Sequence, residues 1–112
     1  MNEKSLKSIG KILNHARKIA SYSSKDEIWF EDDRTLEAVV FNLAQIGELV
    51  RFVDPDLQQK YPGINWAAMR GLRNRIIHDY DYINPLIIKS IAQRDIILLI
   101  KNLEQVMNEN VQ

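Results

Sequence analysis

No cysteine occurs in the 112 residues of the chain. Disulfide frameworks, thiolate zinc sites and cysteine nucleophiles are thereby excluded, and cysteine usage says nothing about redox compartment. Long apolar runs are also missing: the longest, Ile96 to Ile100, falls far short of the roughly 20 residues of a membrane span. Nor is there an excess charge of either sign. Lys plus Arg and Asp plus Glu each number 15, for a formal net charge of zero, so no global field draws in nucleic acid or membrane, and any such partner is met by a local patch. Proline and glycine are few, three and four, which leaves little punctuation. What remains, 46% hydrophobic and 27% charged residues, is the composition of an ordinary globular chain. Its length makes residues 1–112 a single domain. The opening Met1 to Lys11 is polar and charged with no apolar targeting segment, and a cytoplasmic location without a membrane partner is expected.

The breaks fall at Ser21 to Lys25, Asp54-Pro55, Pro62-Gly63 and Asn84-Pro85. Between them the apolar spacing is helical. Leu6, Ile9, Leu13, Ala16 and Ala20, widened by Ile12 and Ile19, predict an amphipathic helix over about Asn2 to Tyr22. Asp32 or Asp33 caps a second helix, whose stripe of Leu36, Val39, Val40, Leu43, Ile46 and Val50 ends at Asp54-Pro55. A loop holding Tyr61 to Trp66 leads to a third, from about Trp66 to Tyr80, cored by Met69, Leu72 and Ile76 and weakened by Gly71. Asn84 as cap and Pro85 at the first position open the last. No segment reads as a strand. Four helices with short connections predict an all-α, up-and-down four-helix bundle. The last helix is apolar over more than one face around Ile96 to Ile100, which suits either dimerisation or central burial.

Most of the charge is that of solvated helix faces. The stretch Arg70 to Tyr82 differs. Arg70, Arg73 and Arg75 fall close together, no acidic residue lies between Leu57 and His78, and a histidine and two tyrosines follow. Arginine forks hold phosphates and aromatic rings stack bases, the means by which single-stranded or looped RNA is gripped. At about 100° per residue, Asn74 and His78 lie about 40° apart on one face, opposite Met69, Leu72 and Ile76. Arg73 lies about 140° from His78, so the two meet one substrate only through bending or across a dimer seam. In a metal-free ribonuclease the ribose 2′-OH attacks the adjacent phosphorus, a group of near-neutral pKa moves protons and a cation stabilises the charged oxygens. Histidine and arginine fit those roles. The other histidine, His15, has no polar constellation near it in sequence and reads as an ordinary helix residue. Two histidines without a His-Glu-x-x-His or clustered-carboxylate pattern give no metal motif, no glycine-rich phosphate loop is present, and no serine sits in a nucleophile elbow.

The string Arg73-Asn74-Arg75-Ile76-Ile77-His78-Asp79-Tyr80 resembles the Arg-Asn-x-x-x-His-x-Tyr motif of the HEPN superfamily, specifically its HepT-like toxins. Leu43-Ala44-Gln45-Ile46-Gly47-Glu48 is similar to the Ile-Gly-Glu signature of that family's second helix, and Tyr61-Pro62-Gly63-Ile64-Asn65-Trp66 to its Pro-x-Ile-x-Trp approach to the motif helix. The resemblance implies a helical bundle that dimerises around a cleft shared by the motif helices. It further implies a metal-independent, cofactor-free endoribonuclease toxin acting on cellular RNA. Arg73 and His78 would be the catalytic pair, Asn74 would orient the site, and Arg70 and Arg75, with Lys60, would bind RNA. Tyr80 would receive AMP from an MntA-type nucleotidyltransferase antitoxin, placing phosphate and bulk where substrate must enter. Glu48 belongs to the signature, either supporting His78 or packing against the motif helix. Asp79, where many members carry a small residue, and Asp81 would raise the pKa of His78, repel RNA or point to solvent. The alternative is a non-catalytic HEPN subunit that partners a nucleotidyltransferase.

Overall fold

The computed structural model describes residues 3–79 and 83–110, with side chains described for 3–76 and 83–110. The described chain is all-α. Its helices are α1 (Glu3–Ser23), α2 (Asp33–Val50), α3 (Pro55–Lys60), α4 (Trp66–Asp79), α5 (Pro85–Ser90) and α6 (Ile96–Asn110); a 3₁₀ turn at Trp29–Glu31 precedes α2, and a π turn at Ile91–Asp95 joins α5 to α6. None of the helices is long and apolar enough to cross a membrane.

Capping chemistry sets the starts. The Asp32 carboxylate accepts the backbone N–H of Thr35 at the head of α2, and Asn84 accepts that of Leu86 at the head of α5. Asp54 does the same for Asp56, with Pro55 at the first position, so Asp54-Pro55 both stops α2 and starts the short α3. The sequence reading took only the stop. The last predicted helix is α5, the π turn and α6 in sequence, its wide turn marked by the Ile96 N–H bonding the Ile91 carbonyl.

The core is one cluster. Ile9, Ile12, Ala16 and Ile19 of α1 meet Val39, Leu43, Ile46 and Val50 of α2 and Ala92, Ile96, Leu103 and Val106 of the last helix. Polar ties close its ends. Ser5, fully buried, accepts the Asp54 N–H at 2.7 Å. Tyr61 donates to Glu109 at 2.8 Å and accepts from Asn110 at 2.9 Å, fastening the loop before α4 to the end of α6. Burial, and then the Glu109 carboxylate, push the Tyr61 hydroxyl above its ordinary pKa.

Packing is unequal around the bundle. α2 lies against both α1 and α4, and α1 against α2 and α6. Between α4 and α5–α6 runs an open, largely apolar cleft of about 660 Å³, reached by Ile64, Met69 and Leu72 from one side and Ile87, Leu98 and Leu99 from the other. The molecule measures 42 × 28 × 20 Å, two helix layers thick at its thinnest. The expected bundle is present, open on the side where α4 faces α6.

Candidate active site

The α2–α4 contact is made by an absence of side chain. A Cβ at Gly47 would lie 2.8 Å from the Arg73 nitrogen and the Met69 carbonyl oxygen and 2.9 Å from the Arg73 Cβ. Only hydrogen fits there, so the backbones of α2 and α4 touch at the start of the motif. Glu48, the next residue, then reaches the motif arginine: its Oε2 is 3.1 Å from Arg73 Nε. Its Oε1 accepts from Arg51 at 2.8 Å. Oε2 is sealed from solvent and, among the described residues, no donor is aligned to it, so the Arg73 pair is a charge contact without hydrogen-bond geometry. Glu48 is about a third exposed and Arg73 about half, a semi-solvated setting in which the pair directs the guanidinium more than it stabilises the fold.

α2 and α4 run antiparallel. Arg73 sits beside Gly47 and Glu48, whereas Ile83, beyond α4, lines a small pocket with Asp33, Leu36, Glu37 and Val40 at the other end of α2. The helix pair therefore has two flanks. One carries Ile46, Leu72 and Arg75 into the apolar cleft; the other carries Glu48 and Arg73.

The sequence-predicted residues divide accordingly. Glu48 and Arg73 are together, so within the described residues Glu48 meets the arginine of the motif. Asn74 is exposed. Arg75 lies on the cleft flank with Leu72, Ile87 and Ile91, and Arg70 borders an open depression with Gln58, Asn65 and Trp66. The arginines close in sequence thus splay around α4. His78 belongs to α4, but its side chain, like that of Asp79, and the whole of Tyr80 and Asp81 lie outside the described residues. His15 is tied down at 2.7 Å by the buried Asn42, which itself donates to the Ala38 carbonyl. Among the described residues no three His, Asp or Glu side chains group as metal ligands.

Two features escaped the sequence reading. Arg51, whose guanidinium shares Glu48 with Arg73, lies outside every motif. Phe41, 60% exposed, stands off the apolar stripe of α2, and that misplacement was a readable signal.

A family model described as "Ribonuclease HepT-like" matches residues 12–106. A protein of Methanocaldococcus jannaschii named "Putative RNase MJ0127" is 33% identical over 101 residues, covering 88% of this chain and 83% of its own length. A second from that organism, "Putative RNase MJ1380", is 36% identical over 67 residues, 60% of this chain and 62% of its own. "Putative RNase TTE0752" of Caldanaerobacter subterraneus subsp. tengcongensis is 26% identical over 83 residues, 74% of each chain. No solved structure matches.

Proposed function

The chain belongs to the HepT-like ribonuclease family, and from that premise we propose that it is a metal-independent endoribonuclease toxin that cleaves cellular RNA, such as tRNA or mRNA. The observation that carries the reading is the Glu48–Arg73 pair seated on the Gly47 contact. It joins the second-helix signature to the motif helix and holds a half-exposed guanidinium ready for a phosphate.

The reaction follows from the residues. A ribose 2′-OH attacks the adjacent phosphorus and the bond to the 5′ oxygen breaks, leaving a 2′,3′-cyclic phosphate and a 5′-hydroxyl. His78 takes the 2′-OH proton or protonates the leaving oxygen. Arg73 stabilises the negative charge that builds on the phosphoryl oxygens, with Glu48 as its positioning residue, Asn74 orienting the site and Arg70 and Arg75 engaging flanking phosphates. The active form is a homodimer. In an ideal helix Arg73 and His78 diverge by about 140°, and a second α4 offers the complementary group across a shared cleft. An MntA-type nucleotidyltransferase antitoxin silences the toxin by moving AMP from ATP to Tyr80, setting phosphate and bulk beside the residues that receive substrate.

The test is incubation of purified protein with total cellular RNA and a chelator, beside Arg73→Ala and His78→Ala. Discrete cleavage by wild type alone is expected, with loss of at least about 100-fold in each variant. With the antitoxin and ATP, the wild-type mass rises by AMP units and Tyr80→Phe stays unshifted. Intact RNA from unmodified wild-type protein would replace this reading with that of a non-catalytic partner of a nucleotidyltransferase.

A further inference from the structure

Phe41 is an exposed aromatic without an explanation in the fold. Its neighbours one turn away on α2, Glu37, Ala38, Ala44 and Gln45, are small or polar, so α2 itself sets no large apolar side chain beside it. The exposed ring of Phe52 is engaged by the cations of Lys4 and Arg51 at 5.7 and 5.3 Å. Phe41, among the described residues, has no ring or cation against it.

Its position is specific. Seven residues separate Phe41 from Glu48, which on an α-helix is about 20° of rotation and about 10 Å along the axis. Phe41 therefore stands on the flank that carries Glu48 and Arg73 and faces away from Ile46 and the apolar cleft. Because α4 runs antiparallel to α2, the motif helix continues from Arg73 through His78 in the direction of Phe41. Seven residues the other way, on the same line, is Arg34, exposed and without an ion pair among the described residues. A ring thus lies between two arginines on the motif flank. The Glu48 carboxylate on that line is taken up by Arg51 and Arg73, and the acidic Glu37 lies about 40° off it.

Alternating cation and aromatic ring is the arrangement that holds single-stranded RNA: guanidinium groups take the phosphates, and a base stacks on the ring between them. We infer that Phe41 is a substrate-positioning residue, the stacking platform for an unpaired base beside the phosphate engaged by Arg73, with Arg34 contacting the backbone on the far side. The inference rests on the ribonuclease reading and deepens it: the substrate is single-stranded or looped at the cut.

The experiment measures cleavage kinetics on a single-stranded RNA oligonucleotide cut by the wild type, and anisotropy of the same labelled RNA with the uncleaving His78→Ala protein. Phe41→Ala is expected to raise KM, and to weaken binding in the His78→Ala background, by about 5- to 150-fold, with kcat changed far less. Phe41→Tyr and Phe41→Trp restore binding and Phe41→Leu does not. Equal kinetics in wild type and Phe41→Ala, or rescue by leucine, overturns the platform while leaving the ribonuclease intact. Dissociation of a wild-type dimer on Phe41→Ala overturns it too, since the ring then belongs to a subunit contact. Absence of both cleavage and RNA binding in wild type removes the ribonuclease reading and this inference together.

Discussion

At Gly47 one hydrogen decides how closely α2 and α4 approach. The atoms that a methyl would strike are backbone atoms of Met69 and Arg73, at 2.8 Å, and neither can rotate aside as a side-chain tip would. Gly47→Ala must lever the motif helix away, so it is expected to cost about 1–3 kcal/mol and to spoil the reach of Glu48 to Arg73. Gly71, on the motif helix itself, has nothing within 4 Å of its would-be Cβ. There alanine is expected to stabilise by about 0.5–1 kcal/mol, since it removes freedom from the unfolded chain at no steric cost. Urea unfolding midpoints of the two variants decide the matter: a Gly47→Ala midpoint that did not fall would contradict the contact at Gly47, and a Gly71→Ala midpoint that fell would contradict the open space at Gly71. The sequence marked both glycines but not their opposite roles. Gly71 was legible from its place in a helical run, whereas the demand on Gly47 comes from a backbone 22 to 26 positions further along the chain.

Helix ends were the most legible elements, because capping is local chemistry. Asp32 shows what that chemistry implies for pH. Its carboxylate takes hydrogen bonds from the Thr35 hydroxyl, from Lys25 Nζ and from the Thr35 backbone N–H. The Thr35 hydroxyl, then Lys25, lower its pKa from 3.8 to about 2. A carboxylate with a depressed folded pKa favours the folded state above its unfolded value, and that contribution fades as pH falls through the folded one. Wild-type stability should therefore fall more steeply than that of Asp32→Asn between about pH 4 and pH 2, since asparagine keeps a cap but has no proton to gain in this window. Thermal midpoints measured across that window test it; parallel curves would remove Asp32 from the acid limb. The π turn was not legible, although its reason is visible afterwards. Ile88, Ala92 and Ile96 are all buried at steps of four, which drift about 40° per step on an α-helix. The wider turn at Ile91–Asp95 takes up the drift and keeps them facing the core.

On the scale of the whole molecule, apolar spacing foretold an all-α bundle, but it could not foretell that the bundle would stay open between α4 and α6. A stripe records that a face is covered, not which element of which copy covers it. The surplus apolar residues of the last helix are the case in point. Ile97 and Leu98 are 51% and 58% exposed, and Leu86 and Ile87 of α5 are 60% and 45% exposed, so central burial does not account for them. Leu86, Ile87 and Leu98 line the cleft whose other wall is α4. In the homodimer proposed above a second copy would cover this face, since a self-complementary patch needs no other partner and a stable interface buries about 1,200–2,000 Å². The wild-type chain is accordingly expected to scatter light as twice its 13.1 kDa. Leu98→Glu, which would place a charge in the centre of that contact, should run as a folded monomer with its RNA cleavage lost. Ile28→Glu alters an equally exposed residue, 59%, in the turn before α2 and should leave the dimer whole. A Leu98→Glu protein that stayed dimeric would move the seam to another face, and one that cleaved RNA as a monomer would show that a single α4 brings Arg73 and His78 to the same phosphate.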